Sequence, residues 1–149
     1  MNKATAIAPA SIALIKYWGR KDGELRLPIN GSIAINLDQL LTTTTVEFDP
    51  ALSADEVTID GVRSEKEAAR AIKHLDRIRS IAGITTKARV VSENSFPSGT
   101  GLSSSSSAFA ALTVAGSKAA GRDLSEKELS ILARQGSGSA CRSIPGGFV

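Results

Sequence analysis

The sequence predicts an α+β domain: an antiparallel, hairpin-rich sheet over the first sixty residues, then alternating helix and strand signals. Three observations carry that. Up to Gly61 the chain is cut by Asp22-Gly23, Asn30-Gly31 and Asp60-Gly61 into short apolar or β-branched runs; such dipeptides between runs mark hairpins. After Ser64 the apolar period lengthens to helical spacing. From there strand and helix signals alternate, with no repeat and no linker. A chain of 149 residues suits one domain of ordinary size.

The elements follow in order. "ATAIAPA" reads as a short strand stopped near Pro9, whose nitrogen cannot donate to a ladder. "SIALIKYW" is an apolar run ending at Gly19, and "RKDGEL" is the first turn. "LRLPI" and "GSIAINL" are strands flanking the turn at Asn30-Gly31. "TTTTVEF" is β-branched and is the clearest strand; "EVTID" is the next. These runs are expected to form an antiparallel, hairpin-rich sheet. A helix is expected from Ser64 to Ile81, with Ala68, Ile72, Leu75, Ile78 and Ala82 on one face and Gly83 as its C-cap. "TTKARVV" is a strand. Leu102 to Ala119 is an Ala-rich helix ended by Gly121; Ser125 to Gln135 is another, opened by the capping box Ser125-x-x-Glu128. Gly147-Phe148-Val149 reads as the start of a further strand, so the chain is expected to be the front part of something longer.

Composition narrows the function. The net charge is +3, with acids and bases mixed along the chain. There is no basic stripe interleaved with aromatics, so a nucleic-acid partner is not expected. A slight positive excess suits a small anionic ligand. Cys141 is the only cysteine, so no intrachain disulfide exists and a cytoplasmic location is expected. Cys141 and His74, the only histidine, make no protein metal site. A divalent ion here would be Mg²⁺ held largely through ligand phosphates. The apolar stretch Ala4 to Ile15 is broken by Thr5, Pro9 and Ser11 and followed by "KYWGRKD", which is no signal-peptide cleavage site. No window has the length of a membrane span.

Three motifs carry chemistry. "PSGTGLSSSSSAFAAL", Pro97 to Leu112, holds five serines in a row. A flexible linker would not run straight into an apolar helix. The layout of strand, Gly-rich loop and helix N-terminus is one that binds phosphate, with a tight helix-entry turn as the plainer reading. It is neither a Walker A loop nor a dinucleotide fingerprint. "GSGSACRS", Gly136 to Ser143, alternates Gly and Ser as anion nests do, and Arg142 can grip a carboxylate bidentately. Cys141 reads as a small packed residue, not a nucleophile. In "ALIKYW", Lys16 alone would be a snorkelling surface charge, and Tyr17 and Trp18 core aromatics, Trp18 at least in part. Arg70 reads as a solvated charge on the first helix.

"PSGTGLSSSSSA" resembles the ATP loop of the GHMP kinase superfamily, Pro-x-Gly/Ala-x-Gly-Leu-x-Ser-Ser. With "SIALIKYWGRKDGELRLPINGSIAINL" and "RQGSGSACRSIPGGFV" it is similar to the mevalonate diphosphate decarboxylases within that superfamily, over nearly the whole chain. The resemblance implies a GHMP-kinase-like amino-terminal domain, a mixed, mostly antiparallel sheet with helices packed on one face and a ribosomal-protein-like βαβ unit. It implies ATP-dependent 3-phosphorylation of mevalonate 5-diphosphate, then loss of phosphate and CO₂ to give isopentenyl diphosphate, with ATP and Mg²⁺ as co-substrate and ion. No membrane partner is implied; family members commonly form homodimers.

Residue by residue, Lys16 matches the family's lysine beside the C3 hydroxyl, and Tyr17 the diphosphate contact. Trp18 and Gly19 flank them. Arg20 stands where the family usually has Lys, and Lys21 where it usually has Arg. Arg70 matches an arginine that reaches the diphosphate. Ser137 and Arg142 match carboxylate contacts and Ser139 a diphosphate contact, with Gly138, Ala140 and Cys141 completing that segment. For ATP, the resemblance implies Pro97, Ser98, Gly99, Thr100, Gly101, Leu102 and Ser103, the paired serines Ser104 and Ser105, and Ser92 and Asn94 along the nucleotide. The family's catalytic aspartate falls beyond Val149, so this chain alone is expected to be inactive. "GTGLSSSSSA" replaces the decarboxylases' usual "AAGLASSAAG" and is more kinase-like. A phosphomevalonate decarboxylase, a mevalonate 3-kinase relative and a non-catalytic phosphate-binding fragment therefore stay open.

Overall fold

The computed structural model describes residues 2–97 and 104–149. Its elements are β1 (Lys3–Ile15), β2 (Arg20–Asp22), β3 (Leu27–Pro28), β4 (Ile33–Phe48), β5 (Glu56–Ile59), α1 (Glu65–Ala82), β6 (Ala88–Asn94), α2 (Ser104–Ala119) and α3 (Glu126–Gly136), then a 3-10 turn at Ala140–Ser143. The main sheet has the order β1-β4-β6-β5; β2 and β3 make a separate small hairpin. The fold is the α+β class expected.

Two local expectations change. Pro9 does not stop its strand: β1 runs on to Ile15. β1 is an edge strand in the sheet order, where a missing N–H costs no ladder bond. The pairing steps there, Pro9 facing Leu41 and Ala10 facing Leu37, so Asp38, Gln39 and Leu40 bulge from β4. The second change concerns β5. It does not extend the antiparallel run; it lies at the far edge, parallel to β6. Parallel partners need a crossover, and α1 supplies it between β5 and β6.

The helices cover one face of the sheet. Val46, Phe48, Val57 and Val90 from the strands meet Leu75 and Ile78 of α1, Phe109 and Leu112 of α2 and Leu132 of α3. α2 sits between the sheet and the other helices and touches β1, β4, α1 and α3. The caps form as read: Gly83 takes φ 70° and its N–H reaches Arg79 O, and both arms of the Ser125/Glu128 box are present. Arg79 is buried against Asp55 and the Phe48 ring, and its Nε donates to Thr86 O at 2.9 Å. Residues Gly147 to Val149 lie along the start of β4, Val149 exchanging two backbone bonds with Ala34 at 2.7 and 3.0 Å. Trp18 departs from its core reading: it is 79% exposed, just past the end of β1. Among the described residues no helix is long and apolar enough to cross a membrane.

Candidate functional site

Two cavities flank the junction of α2 with the segment after α3. The first, about 370 Å³, has an apolar wall of Val57, Ile59, Val90, Phe109 and Leu112. Its polar lining includes Thr44, Ser92, Asn94, Ser104, Ser105, Glu67 and Arg70. An apolar wall beside hydroxyls at a helix N-terminus suits a ligand with a flat apolar part and phosphates.

The serine run divides its work. Ser106 and Ser107 are fully buried and hold the first turn of α2 to the sheet. Ser107 Oγ is 2.7 Å from Thr42 Oγ1, and Ser11 Oγ donates to Ser106 Oγ at 3.5 Å. Ser104 and Ser105 face the cavity instead. Ser92 Oγ is 2.8 Å from Thr44 Oγ1, and Thr42 Oγ1 donates to Asn94 Oδ1 at 2.6 Å. Asn94 N–H and Nδ2 donate to the Asp60 carboxylate at 2.8 and 3.0 Å. Pro97 is exposed, and Ser98, Gly99, Thr100, Gly101, Leu102 and Ser103 lie outside the described residues.

The second cavity, about 450 Å³, is lined by Ile12, Ala13, Lys16, Tyr17, Arg20, Arg26, Ser137, Gly138, Ser139 and Arg142. Among the described residues, four cations and no carboxylate occur in that lining. Lys16 and Tyr17 directly follow β1, Arg20 opens β2, and Arg142 sits in the 3-10 turn. So two blocks more than a hundred residues apart in the chain converge on one charged hollow. Arg142 Nη1 donates to Ser32 Oγ at 3.0 Å, and its buried Nε has no partner among the described residues. Gly138 leaves room for Tyr17: a Cβ there would fall 2.2 Å from the phenol oxygen. A hydroxyl bridge joins the two cavities: Ser137 Oγ is 3.3 Å from Ser105 Oγ of the first and from Ser139 Oγ of the second.

Other expected residues sit apart from this lining. Trp18 is exposed, and its backbone N–H donates to Asn30 Oδ1 at 3.3 Å. Gly19 takes φ 93° against Ile29. Ala140 is fully buried in the core. Cys141 is half-buried, its thiol directed at Gly138 O, and burial pushes the thiol pKa up, which suits packing and not nucleophilic attack. Arg70 lines the first cavity, not the cationic one; it pairs with Glu67 at 3.0 Å and lies 5.1 Å from the Phe109 ring centre. Arg26 is the cationic residue that sequence reasoning missed. In "LRLPI" it looks like an ordinary strand charge, and the lone sign was a cation inside an apolar run.

A family model described as the diphosphomevalonate decarboxylase-like N-terminal domain matches residues 8–149. The chain belongs to that family. It is 42% identical over 162 residues to a diphosphomevalonate decarboxylase of Ganoderma lucidum, covering 99% of this chain and 40% of the relative. It is 43% identical over 147 residues to a phosphomevalonate decarboxylase of Haloferax volcanii, covering 98% and 45%. Among solved structures, a mevalonate diphosphate decarboxylase from Staphylococcus aureus superposes with TM-score 0.94 at 46% identity, covering 99% of this chain and 45% of that one. Another, MDDEF in complex with MVAPP, AMPPCP and magnesium, gives TM-score 0.92 at 46% identity, covering 98% and 45%. This decarboxylase-like domain thus spans less than half the length of these relatives.

Proposed function

We propose that the chain is the substrate-gathering part of an ATP-dependent decarboxylase, taking mevalonate 5-diphosphate in the cationic cavity and ATP in the serine-lined one. The observation that carries this is the four-cation lining without a carboxylate, one hydroxyl bridge away from the hydroxyls at the start of α2. A multiply charged diphosphate and a carboxylate on one small molecule balance such a lining. In this reading Tyr17, Arg20 and Ser139 hold the diphosphate, Arg142 and Ser137 the carboxylate, and Lys16 stands by the C3 hydroxyl. Ser104 and Ser105 take the γ-phosphate. That hydroxyl donor set fits Mg²⁺ held chiefly by ATP phosphates, since no group of three or more His, Cys, Asp or Glu forms a metal site among the described residues. The ion, when bound, neutralises phosphate charge. The overall reaction transfers phosphate to the C3 hydroxyl, then releases phosphate and CO₂ to leave isopentenyl diphosphate. The carboxylate that orients that hydroxyl is assigned to the part of the relatives that this chain does not span. A cytoplasmic location belongs to the same proposal and accords with a lone, half-buried thiol.

The test is calorimetric titration of the chain with mevalonate 5-diphosphate, mevalonate 5-phosphate and ATP–Mg²⁺. Binding of the diphosphate ahead of the monophosphate is expected, with no CO₂ released in the ternary mixture. A preference for the monophosphate favours the second reading, a phosphomevalonate decarboxylase, which the Haloferax volcanii relative brings forward. Absence of binding by both mevalonate phosphates removes the proposal.

A further inference from the structure

We infer that Arg26 is a specificity-determining residue of the cationic cavity, the group that tells a diphosphate from a monophosphate. The inference rests on the substrate reading above. Arg26 lines the cavity with Lys16, Arg20 and Arg142, and no salt bridge ties any of the four to a carboxylate among the described residues. A half-buried guanidinium facing like charges is a standing cost unless an anion joins them. In keeping with this, burial first, then Arg20 and Arg70, hold its pKa below the ordinary arginine value.

The backbone and tethers aim the side chain. Arg26 takes φ 51°, a left-handed conformation that a branched or bulky residue adopts only where its surroundings impose it. Its Nε donates to Gln135 O at 3.1 Å, one of the carbonyls left open at the end of α3. The neighbouring contact is reciprocal: Arg134 Nε donates to Leu25 O at 3.0 Å. This double clasp seats the β2–β3 hairpin on α3 while two of its three cations, Arg20 and Arg26, line the cavity. With Arg142 and Ser137 on the carboxylate and Lys16 by the C3 hydroxyl, Arg20 is the one cation among the diphosphate contacts Tyr17, Arg20 and Ser139. The additional cation matches the additional phosphate.

The experiment titrates the parent chain, Arg26→Gln, Arg26→Lys and Arg134→Gln with mevalonate 5-diphosphate and mevalonate 5-phosphate, with melting temperatures recorded alongside. Arg26→Gln should weaken diphosphate binding about tenfold or more, the worth of a charged hydrogen bond, while monophosphate affinity moves less than about threefold. Arg26→Lys should recover part of the loss, keeping charge without the fork. Arg134→Gln, which removes the Arg134–Leu25 arm but leaves Arg26 in the cavity on its own bond to Gln135 O, should keep the parent's preference. Equal losses for both ligands, or the same loss of preference in Arg134→Gln, overturn the assignment in favour of a merely structural arginine. Unchanged binding in Arg26→Gln overturns it alone, with the substrate reading intact. Failure of the parent to bind either ligand overturns both.

Discussion

Gly138→Ala tests the coupling between the two distant halves of the cationic cavity. Gly138 lies in the segment after α3, and Tyr17 follows β1. The added methyl carbon would sit 2.2 Å from the Tyr17 Oη and 3.5 Å from its Cζ. Oη must retreat by roughly 1 Å or more to regain ordinary contact. The phenol is the end of a movable side chain, so the fold should survive at a cost of about 1–3 kcal/mol. The hydroxyl, however, leaves the cavity, and a lost hydrogen bond of about 1.4 kcal/mol is about tenfold in affinity. The decisive assay is a double-mutant cycle with Tyr17→Phe, read by urea unfolding. Without Oη the nearest Tyr17 atom is in ordinary contact, so Gly138→Ala should become nearly silent. A coupling of at least about 1 kcal/mol is expected. If Gly138→Ala costs the same in both backgrounds, the steric account of this glycine is wrong.

Three further outcomes are expected. His74 is fully buried, and its pKa is pushed down to about 3 by burial, then by Arg77 and Arg26; unfolded, it titrates near ~6.5. The folded value is the lower one, so acid favours the unfolded chain: this contribution is intact above about pH 6.5 and is lost toward pH 3, by at most about 1.4 kcal/mol per pH unit. His74→Gln should flatten the pH dependence of the urea midpoint in that window; an unchanged slope would rule out a buried neutral ring. Asp55 accepts Arg79 and the Ala88 N–H at 2.7 Å, and both side chains of the ion pair are under a tenth exposed. Asp55→Ala should destabilise by about 3–5 kcal/mol, since it leaves the Arg79 charge buried with the exposed Asp76 as its one remaining carboxylate; a loss below about 1 kcal/mol contradicts that. Arg142→Gln should lower mevalonate 5-diphosphate affinity by about ten- to a hundredfold with little change in melting temperature; full affinity would remove Arg142 from the site.

Local chemistry was the legible layer. The Thr42–Thr45 run, the αL glycine at Gly83 and the Ser125/Glu128 box each act within a few residues, so the sequence states them outright. Pairings were not legible in the same way. Nothing near Glu56–Ile59 says that β6, some thirty residues later, comes between it and β4. Pro9 misled because its cost depends on whether a strand faces solvent or a neighbour, a property of the sheet. The motif blocks marked Lys16, Tyr17, Ser137 and Arg142, and the fold gathers them. Arg26 stayed hidden because its meaning comes from Gln135 and from the other cations, none of which adjoins it in the chain.

Ser137 sits between the cavities with 3.3 Å contacts to Ser105 and Ser139, and it is 8% exposed. A hydroxyl carries one proton and rotates to suit its acceptors. Ser137 can therefore donate toward Ser105 or toward Ser139 on the cationic side, but not toward both at once. An anion accepting that proton in one cavity turns Ser137 into an acceptor for the other. The partition between the two hollows is thus a polarity as well as a wall, and its sense is set by whichever side is filled.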